Sequence, residues 1–239
     1  MVRPKKLLDT AKVQGNTKAR KTNDDDAIRM GTLTMLPDHR ICGGAKAAGC
    51  MVTCLKGSGM ARVYASINEA RQSRTDYWLN DQAGFLDQLR RELGNFQTLC
   101  AKQKVQGVVR LNVMSDVQWE RFDIPQSFPD LQFYDYTKLA KRFTQELPSN
   151  YRLMFSYSPR PTYKNQVRTF LESNSDAPMA VVFRTKDFPA TFMGRPVIDG
   201  DKSDWVNVNQ RGVVVGLVEK KTGESDDGFV VDTNTIPLL

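Results

Sequence analysis

The sequence of 239 residues has little of what several large protein classes require. It contains no apolar run near the roughly 20 residues that span a bilayer, which argues against a membrane protein or a membrane partner. Its single histidine, His39, lies in no acid–nucleophile pattern typical of a hydrolase triad. It also has no phosphate-binding or dinucleotide-binding glycine motif, which argues against an ATPase, a kinase or a nicotinamide dehydrogenase. Since Leu7-Leu8 is the longest apolar run near the first lysines, we expect no signal peptide and a cytoplasmic location.

Cysteine is also scarce, with four in the chain, and this number does not suggest a disulfide scaffold. Cys42, Cys50 and Cys54 form the pattern C-x7-C-x3-C within a segment rich in glycine and alanine. Three thiolates this close in sequence can bind one metal centre. The spacing leaves open an iron–sulfur cluster with one open iron position, or zinc with a fourth ligand. A third interpretation is that these are three small buried residues in a tight loop.

Two residues are candidates for the fourth ligand of a zinc site. Two residues separate His39 from Cys42, the first cysteine of the pattern, so His39, Cys42, Cys50 and Cys54 would make a Cys₃His site. An alternative is that His39 is an exposed turn residue. Cys100 falls near the apolar face of a predicted helix, and we therefore predict a core thiol there.

The positive charge is concentrated at the N-terminus. The chain has 34 basic and 27 acidic side chains, and residues 1–22 hold seven of the basic ones against a single aspartate. We predict a basic, flexible or extended arm over residues 1–30, followed by a single α/β domain over residues 31–239. The arm could bind nucleic acid by releasing counterions from phosphates, or it could serve only solubility. Asp24-Asp25-Asp26 follows the basic residues and would repel phosphate.

The hydrophobic pattern after residue 80 predicts alternating helices and strands. Over residues 82–99, Phe85, Leu86, Leu89, Leu93 and Phe96 recur at three- and four-residue spacing, which indicates a helix. Predicted strands, at 108–113, 131–136, 152–156, 179–183, 196–198, 213–218 and 229–231, are continuous apolar runs, typical of a parallel sheet buried on both faces. The sequence thus predicts parallel βα units that form a partial or closed TIM-like barrel, with the cysteine loop near the N-terminus.

Almost every predicted strand ends in a polar or charged cluster. In folds built from βα units, the chemistry lies at the carboxyl ends of the strands. We therefore take Asp116, Asp135 and Asp199 as acid–base candidates, because carboxylates at a dry site often have shifted pKa values. Tyr136 joins them as a candidate catalytic residue. The alternative for each of these residues is that it caps a helix or forms a turn.

Five runs, in this order, resemble a family of phage proteins known as gene product 88. They are ICGGAKAAGCMVTCL at 41–55, RLNVMSDVQWE at 110–120, FPDLQFYDYTK at 128–138, VIDGDKSD at 197–204 and VVGL at 214–217. The resemblance covers roughly residues 31–231. A three-cysteine loop followed by βα units is in turn similar to a reduced radical S-adenosylmethionine barrel.

The resemblance implies a cofactor and a set of residues around it. Cys42, Cys50 and Cys54 would hold a [4Fe–4S] cluster, whose open iron would take the methionine moiety of S-adenosylmethionine. Asn112, Ser115 and Ser156 would contact the cofactor, and the catalytic candidates would lie beside them. The implied function is a metal-dependent phage enzyme that acts on nucleic acid or a nucleotide in the host cytoplasm. The alternative is a non-catalytic protein that binds nucleic acid or a host protein, with a structural zinc at the cysteine loop.

Overall fold

A computed structural model describes residues 3–10, 17–23, 27–51, 63–173, 175–201, 203–220 and 228–232. Its strands are β1 Leu8–Asp9, β2 Ile28–Leu33, β3 Gln106–Arg110, β4 Leu131–Thr137, β5 Tyr151–Ser156, β6 Met179–Phe183, β7 Thr191–Phe192, β8 Arg195–Asp199 and β9 Val214–Val218. Its α-helices are α1 Thr17–Asn23, α2 Ala45–Ala48, α3 Ala65–Asn80, α4 Gln82–Gln103, α5 Lys164–Glu172 and α6 Asp204–Val208. Short 3-10 helices cover Trp119–Phe122, Ala140–Thr144 and Pro161–Tyr163.

The strands form one mostly parallel mixed sheet, in the order β1-β2-β3-β4-β5-β6-β9-β8-β7. Neighbouring strands from β2 through β6, β9 and β8 all pair in parallel. At the two edges, β1 pairs antiparallel with β2, and β7 pairs antiparallel with β8. The predicted α/β fold with parallel strands is therefore confirmed. Closure into a barrel is not shown, since the order of the described strands runs from one edge to the other.

Helix α4 covers one face of the sheet. It begins where the Asp81 carboxylate accepts a hydrogen bond from Gly84 N at 2.9 Å, and it ends at Lys104, whose φ of 55° is left-handed. Of the predicted apolar positions, Phe85, Leu89, Leu93 and Phe96 are buried and Leu86 is partly buried, and Cys100 is buried as predicted. Gly107 of β3 allows this close packing, because a Cβ there would lie 3.0 Å from the Cys100 sulfur.

Within residues 1–30, for which we predict a flexible or extended arm, a short extended strand packs on the folded body. Leu7 and Leu8 are buried in the same core as α4, and β1 pairs with β2. The Glu92 carboxylate on α4 accepts hydrogen bonds from both leucine amides, at 2.8 to 3.0 Å. The basic side chains therefore flank a short strand that belongs to the folded body. Burial of the two leucines anchors this strand to α4.

The opposite face of the sheet is partly covered by α1 and α6. Because successive residues of a strand alternate between faces, this side receives Val108, Tyr134, Met154, Ala180 and Val215 from neighbouring strands. The two helices contact each other beside it. Among the residues that the structure describes, no helix combines the length and the apolar character needed to cross a bilayer.

Candidate functional site

A cavity of about 260 Å³ lies at the carboxyl ends of β3, β4, β5, β6 and β9. It borders the cysteine loop on one side and residues 229–230 on another. Seven of the residues predicted for the site line it: Cys42, Cys50, Asn112, Ser115, Asp116, Tyr136 and Ser156. The cavity therefore gathers residues from segments that lie more than 100 positions apart in the sequence.

The cysteine loop, whose described part is residues 41–51, is hydrogen-bonded to the loop that follows β3. The Asp116 amide donates a hydrogen bond to Ile41 O at 2.8 Å, and the Cys42 thiol donates to Met114 O at 3.6 Å. Gly44 makes the approach to the end of β4 possible, since a Cβ there would lie 2.5 Å from Lys138 Cβ. Cys42 is thereby held at the edge of the cavity.

Cys50 lies on the same cavity just after α2, which ends at Gly49 with a left-handed φ of 74°. Burial raises the pKa of the Cys50 thiol, and the positive charge of Lys138 opposes that shift. The third cysteine of the predicted metal site, Cys54, lies outside the described residues. Within the described ranges, no group of three histidine, cysteine or acidic side chains is placed to hold a metal ion.

Neither candidate for a fourth ligand lines the cavity. The His39 side chain is 79% exposed and lies 3.5 Å from the carboxylate of Asp38. Cys100 packs against the sheet from α4. The histidine thus occupies an exposed position, as one of the two interpretations expected.

Asn112 borders the cavity, but its side-chain amide is engaged with the protein. Its Oδ1 accepts from Ser115 Oγ at 2.9 Å, Val117 N at 3.0 Å and Trp119 Nε1 at 3.1 Å. Its Nδ2 donates to Val117 O at 2.8 Å and to Asp135 Oδ2 at 3.1 Å. The geometry makes Asn112 the organiser of the loop after β3, rather than a side chain with an open amide.

Asp135 lies on the other face of β4 from Tyr136 and does not line the cavity. Its carboxylate accepts hydrogen bonds from the Asn112 backbone N–H and from Tyr151 OH, both at 2.7 Å. It also accepts from the Asn112 side-chain Nδ2 at 3.1 Å. Burial raises its pKa to about 7, although these hydrogen bonds oppose the shift. Side chains alternate along a strand, so Asp135 and Tyr136 face opposite sides of β4, and of the two only Tyr136 borders the cavity.

Asp116 is the predicted carboxylate that does border the cavity. Its Oδ2 accepts from Lys138 N at 2.8 Å, and its Oδ1 lies 3.3 Å from the guanidinium of Arg142. Arg142 also makes two hydrogen bonds to Glu120, at 2.8 and 2.9 Å. Burial raises the pKa of Asp116, against the attraction of Arg142. Asp116 is therefore a carboxyl group at the cavity that a buried arginine fixes from behind.

Asp199 is placed away from the cavity. Its carboxylate is 39% exposed, lies 3.3 Å from Lys186 Nζ and accepts from Asp201 N at 2.9 Å. Asp201 is the residue of this loop that lines the cavity. Asp199 is the last residue of β8, and the chain turns after it before Asp201 reaches the cavity.

Two residues that the prediction did not assign, Arg110 and Lys138, supply positive charge to the cavity wall. Arg110 NH1 lies 2.6 Å from a carboxylate oxygen of Asp204, and the guanidinium carbon stands 4.4 Å from the ring centroid of Tyr136. Tyr136 OH donates to the same carboxylate at 2.9 Å. Arg110 is the last residue of β3, so the strand-end rule contains the signal that would have found it.

Lys138 directly follows β4 and points along the cavity wall. Its ammonium group donates to Ser156 O and Tyr157 O, both at 3.0 Å, and it stands 4.2 Å from the ring centroid of Phe229. The side chain is nearly fully buried. Two carbonyls and an aromatic ring thus hold a cation beside Cys50 and Asp116.

The sequence profile of the gene product 88 family matches residues 7–233, and the chain belongs to that family of phage gene products. No curated protein and no solved structure gives a significant match.

Proposed function

We propose that this member of the gene product 88 family is a metal-dependent enzyme whose active site is the cavity at the carboxyl ends of the parallel strands. Cys42, Cys50 and Cys54 would hold an iron–sulfur cluster of the [4Fe–4S] type. The substrate would be a nucleic acid or a nucleotide. One observation carries the proposal: two cysteines of the loop border the same cavity as Asp116 and the buried cation Lys138.

The described part of the cysteine loop fits a metal centre in its chemistry. Cys42 and Cys50 both reach the cavity, and the loop between them is fastened to two strand ends. A cluster bound by three thiolates supplies an iron with an open coordination position and one-electron chemistry. The cavity beside the loop gives a small organic molecule a place next to that centre, and S-adenosylmethionine is the molecule we propose.

The side chains around the cavity have separable tasks in this proposal. Asp116 holds or accepts a proton at its carboxylate, and its position is set by Arg142. Ser115 and Ser156 contact the bound cofactor. Tyr136 and Arg110 form the inner wall of the cavity. The Tyr136 hydroxyl orients the carboxylate of Asp204, with which Arg110 also pairs.

The support for a nucleic acid substrate lies in residues 1–22, which hold seven basic side chains and one acidic side chain. Lys5 and Lys6 are exposed beside β1. The test is the affinity for a fluorescein-labelled single-stranded oligonucleotide, measured by anisotropy over a salt series. Replacing both lysines by glutamine should weaken binding and lower the salt slope by about 1.4, whereas Lys102→Gln on α4 should not. An affinity that does not respond to either change would remove this support.

The experiment that tests the metal proposal is purification without oxygen, followed by absorption spectroscopy and analysis of iron, sulfide and zinc. We expect a brown protein with about four irons and four sulfides per chain. Cys42→Ala should lose the metal and the colour. Cys100→Ala is the matched control, because it removes a buried thiol outside the cavity and should keep both.

Two other outcomes would overturn the proposal in different ways. A colourless protein with one zinc, lost in Cys42→Ala, would favour the alternative function, a non-catalytic binding protein in which the metal is structural. A protein without metal, whose spectrum is the same in both variants, would leave the cysteines as packing residues.

A further inference from the structure

Residues 228–232, here called the strap, pair with β6 at the rim of the cavity. The pairing between β5 and β6 stops at Ala180, whereas β6 continues to Phe183. Val231 occupies the edge of β6 beyond that point. Its amide donates to Val182 O at 2.8 Å, and its carbonyl accepts from Arg184 N at 3.0 Å. The strap thus takes the place beside β6 where a continued β5 would run.

This position makes the strap part of the cavity wall. Phe229 and Val230 line the cavity, and the Phe229 ring lies against the ammonium group of Lys138. Lys138 is about 7% exposed with the strap in this position. The strap therefore shields the buried cation of the proposed site.

Besides the backbone hydrogen bonds of Val231, the Arg184 side chain links the strap to the residue that follows β9. Arg184 Nε donates to Asp232 Oδ1 at 3.1 Å, and its NH1 donates to Glu219 Oε2 at 3.0 Å. The Arg184 side chain is 41% exposed, and Asp232 is more exposed still. Ion pairs at such exposure stabilise weakly, so Arg184 adjusts the balance of a closed position that buried Val231 and its two backbone hydrogen bonds also hold.

We propose that the strap is a lid over the cavity, that Phe229 is a ligand-contacting residue, and that Arg184 is the positioning residue that keeps the lid closed. The inference rests on the proposed function only in that the covered cavity is the functional site. Opening the strap would uncover Lys138 and the cavity beside it; it would break the bridge between Val231 and β6 but none of the pairings between β2, β3, β4, β5, β6, β9 and β8. Closing it places an aromatic ring against whatever molecule lies beside Lys138.

The first test measures access to Lys138 in the full-length protein as purified. Acetic anhydride at limiting concentration modifies lysines, and peptide mass spectrometry gives the rate at Lys138 relative to exposed Lys102. Arg184→Gln should raise this ratio about threefold to fivefold, the scale set by one exposed ion pair. Phe229→Ala should raise it further, since it removes the covering ring itself.

Matched variants separate lid opening from general loosening. Arg211→Gln breaks another exposed ion pair, to Asp176 at 3.1 Å, and should leave the ratio unchanged. Arg184→Lys keeps the charge and should restore part of the protection. An unchanged Lys138 rate in both Arg184→Gln and Phe229→Ala would overturn the proposal.

Hydrogen exchange supplies a second, independent measurement. The Val231 amide donates a hydrogen bond from the strap to Val182 O of β6, whereas the Met179 amide donates to Val213 O inside the sheet. We expect the Val231 amide to exchange at least about tenfold faster, and to respond to Arg184→Gln while Met179 does not. Equal rates that change together would show that the strap is a fixed strand.

These measurements need no metal, no cofactor and no turnover. A strap that opens in a protein without metal would sustain this inference while the proposed function fails. A protein that holds the expected cluster, but whose Lys138 modification rate is unchanged in the variants, would support the proposed function and refute the lid.

Discussion

Asp135→Asn should change how the stability of this protein depends on pH. Burial raises the pKa of Asp135 from 3.8 to about 7 in the folded chain. Between those values the folded protein keeps a proton that the unfolded chain releases. The contribution to the free energy of unfolding is therefore complete below about pH 4, and it is lost as the pH rises towards 7.

The magnitude follows from the part of that window that an experiment can cover. From about pH 5 to about pH 7 the window spans two pKa units, and each unit corresponds to about 1.4 kcal/mol. The wild-type protein should thus lose up to about 3 kcal/mol of unfolding free energy from this group between pH 5 and pH 8. Asparagine does not titrate. Relative to the wild type, Asp135→Asn should therefore gain about that amount over the same interval.

Urea unfolding at the two pH values, followed by tryptophan fluorescence, measures this difference. Trp119 is a suitable reporter because its indole N–H donates to Asn112, which itself bonds to Asp135. Asp123→Asn is the matched control: the residue is exposed, and asparagine tolerates its left-handed φ of 54°. Parallel stability changes in the wild type and in Asp135→Asn would refute the reasoning.

Two further predictions concern packing at the N-terminus and at the cysteine loop. Leu8→Ala should lower the free energy of unfolding by about 2–5 kcal/mol in a urea titration, because the side chain is 1% exposed, while Lys5→Ala at an exposed site should not. Gly44→Ala should speed hydrogen exchange of the cysteine loop, because its Cβ would lie 2.5 Å from Lys138 Cβ. Gly43→Ala, with its nearest neighbour at 3.9 Å, should leave that exchange unchanged; equal effects of the two glycine variants would contradict the packing argument.

The fold class and the location of the cavity were predictable from local patterns. Continuous apolar runs indicated the buried parallel strands, and the three- and four-residue spacing indicated α4, which extends to Gln103. Polar clusters after the strands indicated where the cavity would form. Barrel closure is a different kind of property, since it depends on the pairing of strands that are distant in sequence, and no local pattern encodes it.

The roles of individual residues were less predictable, for two physical reasons. Period-two alternation places Asp135 and Tyr136 on opposite faces of β4, but which of the two borders the cavity depends on segments that are distant in sequence. The partners of a buried carboxylate are a different matter. Arg142 reaches Asp116 across 26 positions and shares its guanidinium with Glu120, and nothing in the local sequence specifies such a contact.

The N-terminal segment shows how two signals of unequal energy compete. Seven basic side chains indicated an arm, whereas Leu7 and Leu8 form a run of only two residues. Burying one leucine contributes about 1.5–3 kcal/mol, which outweighs the weak mutual repulsion of exposed lysines at physiological salt. Leu7 and Leu8 therefore pack on α4, and the exposed Lys5 and Lys6 directly precede them.

The buried charges behind the cavity point to positioning rather than to stability. Arg142, Asp116 and Glu120 have side chains between 1% and 12% exposed. Desolvating such ions costs about as much as their attraction returns, so apolar residues of the same volume would serve the fold equally well. What apolar residues cannot do is hold a carboxylate oxygen at the edge of a cavity beside Cys50 and Lys138. The arginine fixes Asp116 from the protein side, and the site gains one carboxyl group that cannot turn away.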